Sequence, residues 1–324
     1  MTLQKLNRLE PALKDYLWGG TLLKEHYSKS TDLSIVAESW ELSTHPDGIS
    51  RINGESLLEY VQKHPEVLGT SCHTEDIPLL IKFIDARQKL SIQVHPDDEY
   101  ARRVEHDNGK TEMWYLIDAA PDAYLYLGVN RVLSKEEFRR HIEDNTILEV
   151  LNKVPVRKGE CYLVRAGTIH AIGEGCLIME IQERSNVTYR VYDYARRGKD
   201  GQLRPLHIEK SIEVANLNPV TITSAADQLL QDHDAARVEL LKKTEYFHVY
   251  DYQVHQEAQA DVDGESFWAF MNVQGTAEIS CGDEHAELKQ GESLFVPAGA
   301  GKVAIRGACE VIGARLEHPH SSFD

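Results

Sequence analysis

The stretches GECYLVRAGTIH (159–170) and GESLFVPAGAGK (291–302) are two copies of one pattern: Gly, Glu, three apolar or small residues, Val, then x-Ala-Gly. Each copy reads as a turn, a strand of about five residues and a second tight turn, whose glycine takes a backbone conformation closed to other residues. The position after the second turn is His170 in the first copy and Lys302 in the second. From residue 78 onward the chain around these copies is built of short β-branched and aromatic runs separated by Gly, Pro and Asp turns, among them PLLIKFID, KLSIQVH, YLYLGV, CLIMEIQ and VTYRVYDY. That pattern predicts an antiparallel, all-β chain. Helical patterns are confined to 56–69, 134–152 and 206–217, where Ser134 with Glu137 reads as a capping box. They are connectors and insertions around a β core. The polar stretch NPVTITSAADQLLQDHD lacks strand alternation, so the chain divides into an N-terminal domain, 1–225, and a C-terminal domain, 226–324.

Composition bounds the function. At 324 residues and 42% hydrophobic content, each of two domains has enough apolar residues for a core. A formal charge of -17, with no run of basic residues to offset it, argues against a nucleic-acid surface. A pocket with two or three cations could still hold one phosphate. No apolar run reaches the length of a signal-peptide core or a membrane span, and the five cysteines form no C-x-x-C pair. The expectation is a protein of the reducing cytoplasm with no membrane partner. GKTEMWY is not a phosphate loop, because the glycine such a loop needs at position 104 is Val104.

The segment SIQVHP (91–96) alternates, so a strand there projects Ser91, Gln93 and His95 from one face and Ile92 and Val94 from the other. Polar side chains on the inner face of a barrel need water or a ligand. Glu112 stands at the start of an aromatic strand, and His170 follows the glycine turn. Two imidazoles, a carboxylate and an amide oxygen suit zinc with open positions, and equally iron or manganese.

The repeated glycine motif resembles the second signature of the cupin superfamily, in which a metal-binding His follows the turn. Arg165 stands where that signature has Pro, and the second copy keeps Pro297 but lacks the His. The resemblance implies two cupin-type antiparallel β-barrels of jelly-roll type, one with a metal and one without. SIQVHPDD, GKTEMWY, AGTIHAI and TYRVYDYARR, with YLWGGTLL (16–23) and ESWELSTHPDG (38–48), resemble in order the motifs of type I mannose-6-phosphate isomerases of the short bacterial form. That resemblance implies one Zn2+ per chain on Gln93, His95, Glu112 and His170. It places Arg190 in the active site, where a guanidinium can stabilise an anion that forms during reaction, and Ser91, Lys82 and Arg196 with substrate and phosphate. Lys110 is the first candidate for the proton-transfer base, with Glu180 or a zinc-bound hydroxide as alternatives. The implied reaction interconverts mannose 6-phosphate and fructose 6-phosphate through a cis-enediol. A sugar-phosphate sensor without turnover and an iron cupin oxygenase are the competing classes.

Overall fold

The computed structural model describes residues 3–198 and 201–316; residues 317–324 of the expected second domain lie outside them. Two antiparallel sheets face each other in the N-terminal lobe in an open jelly-roll arrangement. The larger has six strands in the order Cys161–Val164, Glu112–Ala119, Cys176–Glu183, Leu79–Ala86, Glu38–Leu42, Ala12–Lys14. The smaller has five, in the order Leu151–Pro155, Tyr124–Val129, His170–Ile172, Ile92–Val94, Tyr189–Tyr192. Between them Ile84, Trp114, Leu116 and Ile178 of the first meet Leu125, Leu127 and Ile172 of the second.

Both sheets are also covered from outside. Ile92, Val94 and Val191 pack on Phe138, Ile142 and Ile212 of the helices Lys135–Glu143 and Ile208–Val214. Ile81, Phe83, Met113 and Met179 pack on Phe247, Phe267 and Phe295 of the C-terminal lobe. Cover on two faces explains why every residue of Leu79–Ala86 is buried and why its sequence reads as a nearly unbroken apolar run. Within such a run Lys82 has to be satisfied internally.

The C-terminal lobe is a twelve-stranded antiparallel assembly with its own core of Trp268, Phe270, Ile279, Val303 and Ile305. It includes the first strand of the chain. Asn7–Glu10 pairs with Ser293–Val296, with Asn7 opposite Phe295. A buried ion pair reinforces the junction: Lys29 Nζ lies 2.7 Å from Glu41, whose other oxygen accepts from Ser293 Oγ at 2.6 Å.

Local signals account for much of this. Capping boxes start both the helix Leu57–Lys63 (Ser56 with Glu59) and Lys135–Glu143 (Ser134 with Glu137). The helix Asp98–Val104, capped by Asp97, is too short to show a period in the sequence. Gln228–His233 is a strand inside the stretch read as a linker. All six of its side chains are exposed, so neither face carries the apolar alternation that marks a strand. All five cysteines are unpaired, and among the described residues no helix is long and apolar enough to cross a membrane.

The repeated glycines do what their motif requires. Gly159 and Gly291 both have φ +85°, and the second-turn glycines Gly167 and Gly299 have φ +84° and +76°. Their surroundings differ. A Cβ on Gly291 would lie 2.0 Å from the Tyr27 carbonyl oxygen, whereas one on Gly159 would meet nothing within 4 Å. Gly159→Ala should therefore cost only the left-handed backbone penalty, about 1 kcal/mol. Gly291→Ala should cost a further 1–3 kcal/mol, roughly, from overpacking against the neighbouring turn. Urea denaturation of the two variants checks this, and equal losses would show that the Tyr27 contact yields freely.

Candidate metal centre and active site

Strand register assembles the site. His170 is paired with Gln93, and Gln93 with Arg190, so three sequence-distant side chains stand in one row across neighbouring strands of the smaller sheet. On the facing sheet Trp40, Lys82, Glu180 and Trp114 form a second row, each opposite the next. Glu112 lies two residues before Trp114, on the same face. The predicted split of residues 91–96 holds: Ile92 and Val94 are fully buried against the helices, while Ser91 and Gln93 line a cavity of about 310 Å³ between the sheets. Lys82, Lys110, Glu180 and Arg190 line the same cavity.

At its inner end His95, Glu112 and His170 bring donor atoms within 4.8 Å of one another, the one such group among the described residues. All three are buried, at 1%, 0% and 0% exposure. His95 Nδ1 is 2.8 Å from the Val187 carbonyl and His170 Nδ1 is 2.8 Å from the Thr168 carbonyl. A carbonyl can only accept, so each Nδ1 carries the hydrogen and each Nε2 presents a lone pair. Those lone pairs point at Glu112, at 3.6 Å for His95 and 3.3 Å for His170. Neither carboxylate oxygen of Glu112 receives a hydrogen bond; its nearest cation is Lys110 Nζ at 2.6 Å. Lys110 Nζ, also 3.2 Å from His95 Nε2, faces part of this group from one side, and a divalent cation at its centre would take both lone pairs and the carboxylate at once. Gln93 completes the group, its amide 3.3 Å from His170 Nε2; rotated about its last bond, the same amide offers oxygen. The donor set therefore fits a metal ion.

Electrostatics agree with that fit. Burial, then the Lys110 charge, holds His95 well below the usual imidazole range, and burial lowers His170 to about 4. Both rings are neutral near pH 7, the form that binds metal. Burial and the Glu180 charge push the Glu112 carboxyl up. Burial works against the charge on Glu180 as well, but Lys110 and Lys82 override it and hold that carboxyl down. Lys82 lies 3.3 Å from Glu180 and 3.8 Å from Glu38; these carboxylates outweigh its burial and raise it, so it remains an ammonium.

Arg190 is half-buried and donates one Nη1 bond to the Pro205 carbonyl at 3.0 Å, while its buried Nε has no partner. Asp193, the carboxylate nearest in sequence, is held instead by Arg196 and Arg204. Burial and the neighbouring Arg204 weaken Arg190's hold on its proton. Among the described residues it is a cation at a cavity wall with no carboxylate of its own. Arg196 is not brought into that cavity. It bonds Asp193 and the Lys89 carbonyl and lines an adjoining cavity with Tyr16, Trp18 and Arg204. Arg204 lines both cavities. It and Glu38 were assigned no role in the sequence reading. Glu38 accepts from Trp40 Nε1 at 2.6 Å, and an acid two residues from a tryptophan in a short strand is the only local mark it carries.

A jelly-roll lobe with one buried His–Glu–His set, joined to a second lobe whose core is apolar, is a two-lobed cupin protein with, among the described residues, a single candidate metal centre. Residues 237–316 match the model of the mannose-6-phosphate isomerase cupin domain, and residues 6–125 that of the type I phosphomannose isomerase catalytic domain. The Bacillus subtilis (strain 168) protein named "Probable mannose-6-phosphate isomerase GmuF" is 35% identical over 96% of this chain and 98% of its own length. The crystal structure of the Bacillus subtilis mannose 6-phosphate isomerase superposes with a TM-score of 0.90 at 33% identity, over 96% of this chain and 99% of that one. A mannose 6-phosphate isomerase solved with zinc bound shares the fold at 17% identity, with a TM-score of 0.78 over 97% of this chain and all of the other. The chain belongs to the type I phosphomannose isomerase family.

Proposed function

We propose that the chain interconverts mannose 6-phosphate and fructose 6-phosphate, with zinc held by His95, Glu112, His170 and Gln93 in an N-terminal catalytic lobe, residues 1–225. The C-terminal lobe, 226–324, holds no metal. The observation that carries the reading is the convergence of two Nε2 lone pairs on a buried carboxylate, beside a cavity walled by an arginine that has no carboxylate partner among the described residues. Relatives and solved neighbours named as mannose-6-phosphate isomerases, one of them with zinc, support it.

Zinc bound there would supply Lewis-acid polarisation of the sugar carbonyl, making the adjacent C–H more acidic. The chain's own residues do the rest. Arg190, preorganised by Pro205, receives the negative charge of the cis-enediolate. Lys110, 3.2 Å from His95 Nε2 and within 3.7 Å of both Glu112 and Glu180, moves the proton between C1 and C2 as the neutral amine, its own proton first passing to Glu180 on the same wall. Ser91 and Lys82 orient the sugar chain. The phosphate lies toward Arg204 and Arg196, the latter acting through charge because its donors already serve Asp193 and Lys89. Trp18 and Tyr16, shared by the two cavities, close the mouth.

Elemental analysis of the purified protein should give about one zinc per chain. In the C-terminal copy Lys302 replaces the histidine and is exposed on the strand Gly301–Arg306, so two tightly held zinc ions would refute the assignment. A coupled assay on the same preparation should show mannose 6-phosphate turnover lost on chelation and restored by zinc. Binding without turnover would identify a sensor, and iron with oxygen consumption an oxygenase.

A further inference from the structure

Lys110 and Glu112 sit on a short segment that makes no sheet pairing until Glu112, so something else has to hold it. Two acids outside the metal group do. Thr111 N–H donates to Glu183 Oε2 at 2.6 Å, and Gly109 N–H donates to Asp98 Oδ1 at 2.9 Å. The two acids thus grip the backbone on either side of Lys110, and the Asp98 charge adds to burial in raising the Glu183 carboxyl. The same segment is closed by Glu183 N–H to the Thr111 carbonyl at 3.1 Å and Lys110 N–H to the Pro96 carbonyl at 3.0 Å. The backbones approach so closely that a Cβ on Gly109 would lie 2.4 Å from the Asp98 nitrogen.

Two acids gripping one short segment repel less when one of them keeps its proton. Asp98 is partly exposed and pairs with Arg102 at 3.0 Å, one helical turn on, which suits the charged form. Glu183 is 5% exposed, which suits the neutral one. One of its oxygens accepts from Thr111 N–H in either form. The remaining titratable neighbours are Tyr246, from the turn before Phe247–Val254, and Glu245 beside it; burial and the charges of Glu183 and Asp98 raise the Tyr246 phenol.

We propose that Asp98 and Glu183 form a clamp that positions Lys110 and Glu112 for the reaction, a role in catalysis exerted without touching substrate or metal. The pair ties together three pieces of the site: the segment after His95, the 109–112 segment, and the strand that carries Glu180. Burial, with the Asp98 charge adding to it, raises Glu183 to about 8 against the opposing Thr111 bond. An acid raised in the fold binds its proton most favourably at low pH and loses that contribution as pH rises from the ordinary carboxyl range through the raised value. The clamp should therefore open on the alkaline side, above pH of about 8.

The effect on turnover rests on the isomerase reading; the clamp itself does not. In the zinc-loaded protein, amide hydrogen exchange at Gly109 and Thr111, corrected for the intrinsic pH dependence of exchange, should lose protection above that pH. Glu183→Gln should keep it, because an amide oxygen still accepts from Thr111 and carries no titrating proton. In turnover, Glu183→Ala should lower kcat on the order of tenfold to a hundredfold with little change in KM and zinc retained, the scale of a misplaced catalytic group. Glu183→Gln should restore kcat and extend the alkaline limb. Identical alkaline behaviour of wild type and Glu183→Gln in both measurements overturns the proposal, as does normal kcat in a zinc-replete Glu183→Ala. If Glu183→Ala does not fold, the Glu183→Gln profile decides alone. Absent isomerase activity in the wild type with clamp-like exchange would reject the proposed reaction and leave the clamp standing.

Discussion

His170→Ala should purify as a folded protein without zinc and without measurable isomerase activity. The residue stands in the middle of its sheet, paired with Gln93 on one side and Leu127 on the other, and its backbone bonds survive the substitution. The lost ring leaves His95, Glu112 and a neutral amide, the weakest donor of the set. Removing a group that only orients a ligand already costs roughly 10–100-fold in metal affinity, so loss of a ligand itself should exceed that. Loss of Lewis-acid polarisation is worth several kcal/mol, about a thousandfold or more in rate. A second consequence separates ligation from packing. The His170 ring is 5.3 Å from Trp114, so the variant also leaves a small void and should melt below the zinc-free wild type, but added zinc should no longer raise its Tm. Zinc stabilises only a state that binds it. Full zinc occupancy and normal turnover in His170→Ala would make the residue a core histidine and undo the metal assignment.

Arg190→Ala should fold, keep its zinc and bind substrate with modestly changed affinity while kcat falls. Loss of one preorganised donor to a developing oxyanion costs on the order of 3 kcal/mol, roughly a hundredfold. The geometry sharpens this expectation. A structural arginine would neutralise a carboxylate, but Asp193 is already held by Arg196 and Arg204, and Arg190 leaves its Nε unbonded in the interior. Removing it therefore orphans no buried acid. Relief of repulsion from Arg204 should offset part of the packing lost, so Tm should move little. Arg190→Lys should rescue little, because an ammonium lacks the planar fork and reaches a different point. Tm, zinc content and kcat measured on one preparation settle the role: a lowered Tm with near-normal kcat would make Arg190 structural.

The sequence by itself was enough for features that leave a turn, cap or alternation signal along the chain. The repeat at 159 and 291 implied the left-handed glycine of each second turn, Ser134 with Glu137 implied a capped helix, and alternation at 91–95 separated a polar face from an apolar one, because a strand's side chains switch sides at every residue. The resemblance of the ordered motifs to one isomerase family implied the fold and the family that the comparisons then showed. The tertiary structure decided what lies opposite what. Period-two alternation says that Gln93 and His95 share a face, but only strand register sets Gln93 between His170 and Arg190. Lys82 in an apolar run says that a charge is buried; only the paired strands show Glu180 and Glu38 as its partners. The entry of Asn7–Glu10 into the distant lobe, the carboxyl pair of Asp98 and Glu183, and the capture of Asp193 by Arg204 left no mark in the local sequence. Each is a contact between residues that are not neighbours along the chain, where the free energy is set by burial and by which charges meet, and these are fixed only in the folded chain.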